Sequence, residues 1–393
     1  MNENENHSSG IIKKSDLIFA QYKTMYTVLE SSLQLSAEQI IETMLDSGLR
    51  GRGGAGFPTA KKWQAAASVP ADQRFVICNA DEGEPGTFKD KAILRQVPRK
   101  VLTGMALCAK AIQATEGYIY LRAEYRNLAD ELQAHIDIFH EYCDRFKLDF
   151  RVKIFMGQGA YVCGEETALI ESMEGKRGEP RNKPPFPTEV GYLGKPTVVN
   201  NVETFATAMI IFKVGASEYK KLGTPDSRGS KLFSVSGDTR KPGVHELELG
   251  MSLYDFVKEF GDGDTKAVQV GGAAGMCVPR REFKNTIIGF EGVPTGGSMI
   301  LFNSKRSMYN VLHNYLDFFN QESCGQCTPC RVGCQQLLLG TEAVKKGEKD
   351  TVYLEQLIRL TETMRIGSKC GLGRSVGNAF NSIVENFKEE ILY

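Results

Sequence analysis

The chain has 393 residues, 41% hydrophobic and 24% charged, with ten cysteines and a formal net charge of +0. That length allows two or three domains and a sizeable core, and the composition is that of a water-soluble globular protein. The neutral balance makes no case for nucleic acid, no run of about 18 apolar residues offers a membrane span, and polar Met1 to Gly10 reads as a frayed tail without a signal peptide's apolar core.

Ala37 to Leu49 carries Ile40, Ile41, Met44 and Leu45 at helical spacing, with Ser36 placed to cap it. It leads into a glycine loop, Gly51-Arg52-Gly53-Gly54-Ala55-Gly56, and then Phe57-Pro58. Phe75 to Cys78 reads as a short strand that ends in Asn79-Ala80-Asp81-Glu82-Gly83-Glu84. A helix over Val101–Ala114, a strand over Gly117–Leu121 and an amphipathic helix over Leu128–Phe146 follow. Next come a strand over Val152–Phe155 and a helix over Thr167–Met173. The alternation predicts an α/β block with a largely parallel sheet. Gly175 to Pro187 is too rich in Gly, Pro and basic residues for regular structure, and a helix over Glu203–Val214 closes the block. Composition changes after Pro225-Asp226-Ser227-Arg228-Gly229. Short strands over Lys231–Ser236, Gly243–Leu247 and Ala267–Val270, with a helix over Leu253–Phe260, make a small α+β module that ends near Ser304. Helices over Met308–Phe319, Leu354–Met364 and Val376–Phe387 then surround a cysteine-rich loop.

That loop is Glu322-Ser323-Cys324-Gly325-Gln326-Cys327-Thr328-Pro329-Cys330. Its C-x2-C-x2-C spacing matches the start of an iron–sulfur run. Zinc sites more often pair two separated knuckles, and disulfides over such short loops are strained; both stay open as lesser readings. Cys370 is the favoured fourth ligand and Cys334 its competitor. In ferredoxins the C-x3-C cysteine serves a second cluster and precedes proline, whereas here Gln335 follows Cys334. Cys78, Cys108, Cys143, Cys163 and Cys277 lack ligand spacing and read as buried fillers. Ten cysteines are too few for a disulfide scaffold in a chain this long, so a reducing cytosol fits best.

The glycine loop contains G-x-G-x-x-G but follows a helix, so the ordinary dinucleotide fingerprint is rejected. Its bare backbone would still approach a phosphate or flavin closely, and Arg50, Arg52, Lys61 and Lys62 favour an anion. The plain alternative is a tight structural turn. Asn79, Asp81, Glu82 and Glu84 follow a strand's carboxyl end, where open sheets bind ligands; the alternative is a solvated acidic turn. Gly164-Glu165-Glu166 opens a helix, for which ordinary capping is the alternative. Lys183 and Phe186 sit on a Pro-stiffened loop that suits a base-stacking clamp but is unspecific alone.

Five segments together resemble one family. They are GLRGRGGAGFPTAKKW (Gly48 to Trp63), NADEGEPGTFKDK (Asn79 to Lys91), GAYVCGEETALIESMEGKRGEPRNKPPFP (Gly159 to Pro187), GKPTVVNNVET (Gly194 to Thr204) and ESCGQCTPCRVG. The chain resembles the NADH-binding flavoprotein subunit of respiratory complex I, shared with soluble NAD-linked hydrogenases and formate dehydrogenases. The resemblance runs from about residue 40 to the C-terminus. It implies an α/β fold with a Rossmann-like FMN domain, then a ubiquitin-like β-grasp (SLBB) domain, then a C-terminal helical bundle holding one [4Fe-4S] cluster. The corresponding blocks are a tail and lead-in at 1–35, an FMN- and NADH-binding domain at 36–228, the β-grasp domain at 229–305 and the helical domain at 306–393.

By position, the resemblance implies FMN contacts at Gly51, Gly53, Lys62, Asn79, Asp81, Glu82, Tyr161, Gly164, Glu165, Asn200, Asn201 and Thr204. It implies NAD(H) contacts at Phe57, Glu84, Glu166, Lys183 and Phe186, and cluster ligands at Cys324, Cys327, Cys330 and Cys370. The chain departs from the complex I pattern at Gln64-Ala65, where an aromatic helps to sandwich adenine, so stacking would rely on Phe57 and Phe186. The implied activity is that of an NADH dehydrogenase (diaphorase) subunit: hydride to FMN, then single electrons to the cluster and onward. No side chain is expected as an essential acid or base. Glu84 and Glu166 at the adenosine ribose would favour NAD(H) over NADP(H). The chain leaves no room at its start for a thioredoxin-like [2Fe-2S] domain and has no ferredoxin-like tail. The expected partners are therefore a thioredoxin-like [2Fe-2S] subunit and a larger iron–sulfur subunit of a hydrogenase, formate dehydrogenase or complex I, docked near the cysteine loop. Ferredoxin joins them if the complex bifurcates electrons. The expected location is cytoplasmic, or peripheral to a membrane complex. The rival readings are a non-catalytic iron–sulfur scaffold and a flavin-free NAD-binding sensor.

Overall fold

A computed structural model describes residues 12–21 and 25–392; the tail expected at Met1 to Gly10 lies outside the described residues. The first block is built on a parallel sheet of β1 (Phe75–Ala80), β2 (Glu116–Leu121), β3 (Arg151–Met156) and β4 (Thr197–Asn201), in the order β3-β2-β1-β4. Phe75 to Cys78 are all buried, as expected of a parallel strand covered on both faces. Around the sheet lie α1 (Met25–Ser32), α2 (Ala37–Ser47), α3 (Thr59–Ser68), α4 (Lys89–Gln96) and α5 (Pro98–Ile112). They are followed by α6 (Ala129–Arg145), α7 (Glu166–Met173), α8 (Val202–Val214) and α9 (Ala216–Tyr219). Ser36 and Gln39 close a capping box on α2, and Gly48, at φ 66, ends it. Helices α5 and α8 cross closely: a side chain at Gly104 would run into the Phe205 carbonyl.

Several elements were not anticipated from sequence, among them three that shape the first block around its site. Strand β4 offers only Thr197-Val198-Val199 between a proline and two asparagines, too short for a pattern. Helix α3 is alanine-rich with weak periodicity. Helix α4 opens on Lys89-Asp90, a charged pair that is buried; ion pairing, not apolar spacing, places it inside.

The second block contains β5 (Ser230–Gly237), β6 (Gly243–Glu248), β7 (Met251–Ser252), α10 (Leu253–Phe260), β8 (Thr265–Val270), β9 (Met276–Pro279), β10 (Ile287–Ile288) and β11 (Ser298–Asn303). Five strands form a mixed sheet, β6-β5-β11-β8-β9, in which β11 runs parallel to β5 and antiparallel to β8. Leu253, Phe256 and Phe260 of α10 pack with Phe233, Val268 and Met299 from the sheet. The third block is helical: α11 (Met308–Glu322), α12 (Thr328–Lys345), α13 (Thr351–Gly367), α14 (Gly371–Asn386) and α15 (Lys388–Leu392). Its core centres on Leu312, Phe319, Leu337, Phe380 and Ile383. No described helix is long and apolar enough to cross a membrane, and all ten cysteines are free thiols.

Candidate functional site

The central strand β1 pairs with β2 on one side and β4 on the other, so the strand order reverses beside it. Ligands of open α/β sheets bind outside the carboxyl ends at such a switch point. Here Cys78 stands opposite Asn200 and Asn79 opposite Asn201, which brings three of the implied FMN residues to one edge. The glycine loop closes over them. Gly53 is so near Asn201 that an added Cβ would lie 3.1 Å from that side chain. Arg52 N donates to Thr204 Oγ1 at 2.9 Å, and Asn79 Nδ2 donates to the Gly164 carbonyl at 2.8 Å. Lys62 Nζ reaches the Val199 carbonyl (3.0 Å) and Glu166 (2.8 Å), while Trp63 Nε1 holds Asn200 Oδ1 at 2.9 Å. Asn201 caps α8 by accepting from Glu203 N at 2.9 Å. Gly56, at φ +64, lies against the Phe290 ring, where a side chain would collide.

Asp81 carries the clearest sign of a missing partner. Its Oδ2 is buried with nothing bonded to it. Burial pushes its carboxyl up to about 7, against the pull of Arg122. The bare Gly164 backs onto this residue, with 3.5 Å between an added Cβ and the Asp81 carbonyl. A polyhydroxy chain such as ribityl would supply the absent donor, so the crevice fits FMN. The Glu82 carboxylate accepts from Asp90 N (2.9 Å), Lys91 N (3.1 Å) and Tyr125 OH (2.8 Å), and so caps α4. Glu165 likewise caps α7, through Thr167 N (2.9 Å) and Ala168 N (3.0 Å). Its other oxygen meets Lys183 at 2.7 Å.

Of the implied NAD(H) residues, Phe57 and Phe186 are 54% and 50% exposed, free to stack on a planar ring. Lys183 spans Glu165 and Glu166 (3.2 Å). Burial pushes the Glu166 carboxyl up, but Lys62 and Lys183 outweigh it and hold it below its ordinary value. Glu84 is only partly exposed. Its carboxylate takes the Tyr161 hydroxyl at 2.6 Å and Ala274 N at 3.0 Å.

Beneath the glycine loop lies a buried ionic network that sequence reading missed. Glu203 bonds Lys89 (2.9 Å), Lys231 (3.1 Å) and Leu232 N (2.8 Å). Lys231 also donates to the Arg52 carbonyl at 2.8 Å, and Arg52 to Tyr219 at 2.8 Å. A lysine beside Leu232-Phe233 in an apolar strand was its only visible signal.

The cysteines surround a second site. Cys324, Cys327, Cys330 and Cys370 line one small cavity with Val162, Ser368, Leu372 and Gly373. Cys334 is not part of the lining: it is 1% exposed and turns its thiol to Cys330. Cys330 sits in the first turn of α12 rather than on the loop, because Thr328-Pro329 starts the helix. Cys327 and Cys370 occupy the N-cap positions of α12 and α14, so two positive helix ends face the cavity. Lys369 N points at Cys327 Sγ (3.4 Å), and Leu372 and Gly373 N–H groups at Cys370. The Ser368 hydroxyl is buried without a partner. Among the described residues no His, Cys, Asp or Glu group is set to hold a single ion. Four thiols spread around a cavity with N–H donors and an unpaired hydroxyl are instead a donor set for a polynuclear iron–sulfur cluster. Ser368, missed from sequence, stands two residues before a ligand candidate.

Comparison with known proteins agrees with both sites. Residues 44–209 match a family model described as the Nuo51 FMN-binding domain, and residues 310–393 match the NADH-ubiquinone oxidoreductase-F iron-sulfur binding region. An NADH-quinone oxidoreductase subunit of Aquifex aeolicus is 40% identical over 379 residues, covering 93% of this chain and 88% of that one. The chain belongs to this flavoprotein family. The NAD-reducing hydrogenase HoxS subunit alpha of Cupriavidus necator is 42% identical over 388 residues, and the chain spans 64% of that relative's length. The NADP-reducing hydrogenase subunit HndC of Solidesulfovibrio fructosivorans is 39% identical, with 78% of its length covered. A crystal structure of an NAD+-reducing [NiFe]-hydrogenase in the H2-reduced state superposes with a TM-score of 0.88 at 41% identity, covering 97% of this chain and 67% of that one. Family membership accounts for the two sites standing side by side in one chain.

Proposed function

We infer that the chain is the NADH-oxidising flavoprotein subunit of a larger electron-transfer assembly, an NADH:acceptor oxidoreductase that uses FMN, NAD(H) and one [4Fe-4S] cluster. One observation carries this reading. The segment Tyr161–Gly164 joins the two sites, since the Gly164 carbonyl holds Asn79 at the switch point while Val162 lines the cysteine cavity. A bound FMN would supply hydride acceptance from NADH and one-electron delivery to the cluster. The glycine loop, Asn79, Asp81, Asn200, Asn201 and Thr204 are assigned to flavin binding; Glu82 and Glu165 act from behind as helix caps. Phe57 and Phe186 would flank adenine, with Lys183 and Glu166 at the nucleotide's polar parts. No side chain receives an acid–base role, because the cofactors carry the chemistry.

Four buried clusters support boundaries near residues 228 and 305: two draw chiefly on the first block, one on the second and one on the helices, with Leu232 joining the first block's core and Ala267, Ala273, Cys277 and Phe302 joining the helical one. The mixed sheet crossed by α10 supports the β-grasp assignment. The partners we propose are a thioredoxin-like [2Fe-2S] subunit, a larger iron–sulfur subunit of a hydrogenase, formate dehydrogenase or complex I and, in a bifurcating assembly, ferredoxin. Val332 and Ile366, 43% and 69% exposed on α12 and α13, offer apolar surface near the cysteines. Free thiols throughout agree with a cytoplasmic location.

The test is a yellow flavin absorbance that NADH bleaches, together with NADH:ferricyanide reductase activity. A scaffold would bind no flavin even after reconstitution, and a sensor would bind NADH without reducing ferricyanide. Glu166, held ionised, should repel a 2′-phosphate, although Lys62 and Lys183 soften the effect. The expected kcat/KM for NADH exceeds that for NADPH by at least about tenfold, roughly one like-charge contact; equal values contradict the assignment.

Asp81 gives a pH signature. A hydroxyl donor brought to Oδ2 stabilises the ionised carboxylate, so FMN binding lowers a carboxyl that burial holds at about 7 and releases a proton. FMN affinity of the flavin-free protein is therefore expected to rise between pH 6 and 8, by up to about tenfold per pH unit below the raised value. Asp81→Asn should flatten that rise in a fluorescence titration; an unchanged slope removes Asp81 from the site.

A further inference from the structure

The middle sheet has no part in the chemistry described so far, yet its loops reach both sites. The Glu84 carboxylate, just beyond β1, is received by the backbone N–H groups of Ala273 and Ala274 in the turn between β8 and β9. Gly272 makes this possible: it sits at φ +69, and any side chain there would run into Glu84 Oε1. The same turn faces the cysteine helix on its other side. Asn378 Nδ2 of α14 donates to the Ala274 carbonyl at 2.9 Å, and Cys277 N donates to Ser382 Oγ at 3.0 Å. Asn378 and Ser382 are one turn apart on a single face of α14, the helix that Cys370 caps. From the other end of the sheet, Lys231 on β5 holds the Arg52 carbonyl of the glycine loop.

We propose that the Gly271–Cys277 turn is a positioning element that ties the acidic flavin loop to the cluster helix and so fixes the flavin-to-cluster separation. Asn378 and Ser382 are its positioning residues on the cluster side, and Gly272 on the flavin side. Ordinary packing between units would need only apolar contact. Here a part-buried carboxylate is docked on peptide N–H groups, a directional contact that sets a distance as well as an area. The proposal rests on the assignment of flavin and cluster given above.

The test uses the full-length, cofactor-loaded protein and rapid mixing with NADH, following flavin bleaching and cluster reduction separately. In the double variant Asn378→Ala/Ser382→Ala, flavin bleaching is expected within about twofold of the parent. Cluster reduction is expected at least about tenfold slower, the scale on which misplacements of an ångström or less act. Gly272→Ala, attacking from the flavin side, should give the same split. A second readout needs no cofactor: amide exchange at Ala273 and Ala274 in the flavin- and cluster-free chain should quicken at least about tenfold in Gly272→Ala, as a lost buried hydrogen bond implies. Parental rates of cluster reduction in both variants overturn the proposal, as does equal slowing of both steps with loss of flavin. If the parent's flavin fails to respond to NADH, the functional reading falls, and the exchange data alone decide whether the tie exists: parental exchange in Gly272→Ala rejects it.

Discussion

Cys370→Ser is expected to abolish the [4Fe-4S] electron paramagnetic resonance signal, while Cys334→Ser keeps it. Both cysteines lie on helices close to Cys330, and spacing alone left them in competition. The structure separates them by direction. Cys370 lines the cavity with Cys324, Cys327 and Cys330, at the positive end of α14. Cys334 is one turn behind Cys330 and packs into the helical core. A serine at position 370 replaces a soft thiolate with a poor iron ligand at the cavity wall. A serine at 334 exchanges one buried small group for another and costs about 1–3 kcal/mol of stability, because its hydroxyl lacks an assured partner. Iron analysis and spectra at low temperature distinguish the two. Cluster loss in Cys334→Ser with retention in Cys370→Ser would reverse the assignment.

Glu203→Ala is expected to destabilise the protein by about 3–5 kcal/mol, the cost of leaving buried charges without their counterion. Glu203 is fully buried and bonded to Lys89, Lys231 and the Leu232 amide. Burial pushes its carboxyl up, but Lys231, Lys89 and Arg52 outweigh that and hold it below its ordinary value. Its pairing therefore contributes stability above the unfolded carboxylate range and loses it as pH falls through the depressed value. The variant's signature has the same sign but falls in a higher pH range. Lys231, which burial already brings down to about 7, becomes harder still to charge. Its unfolded form binds the extra proton, so the variant's stability should rise with pH from neutral towards the ordinary lysine range. Urea unfolding at several pH values measures both effects. Because Lys231 also anchors the Arg52 carbonyl, weaker flavin retention should accompany the loss. A midpoint unchanged from the parent would mean the network is not holding the glycine loop.

Periodicity made most of the fold legible. Helix α10 runs over Leu253–Phe260 as expected, and α2, α5, α6 and α8 differ from expectation only near their ends. Part of what escaped was held by polar forces. Lys89, Asp90, Glu203 and Lys231 are charged residues that tertiary pairing drives inside, and no sequence pattern marks them as core. The cluster site was legible from cysteine spacing, and Cys370 was already favoured because Gln335, not proline, follows Cys334; the structure adds a cavity that Cys370 lines and Cys334 does not. The flavin crevice was legible only in pieces. Asn79 and Asp81 could be placed at a strand end, whereas their meeting with Asn200 and Asn201 depends on β4, too short to recognise. Glu82 and Glu165 show that residues implied by resemblance can cap helices behind a crevice, and Glu84 that one can dock between units.

The most direct measurement is an anaerobic titration of the purified full-length chain with NADH, reading flavin absorbance and the low-temperature spectrum of the cluster on the same samples. The account predicts that NADH bleaches a bound flavin and that a single reduced [4Fe-4S] signal then appears, absent in Cys370→Ser although the flavin still bleaches. A cluster signal that NADH evokes without bound flavin, or a bound flavin that NADH leaves oxidised, would contradict it.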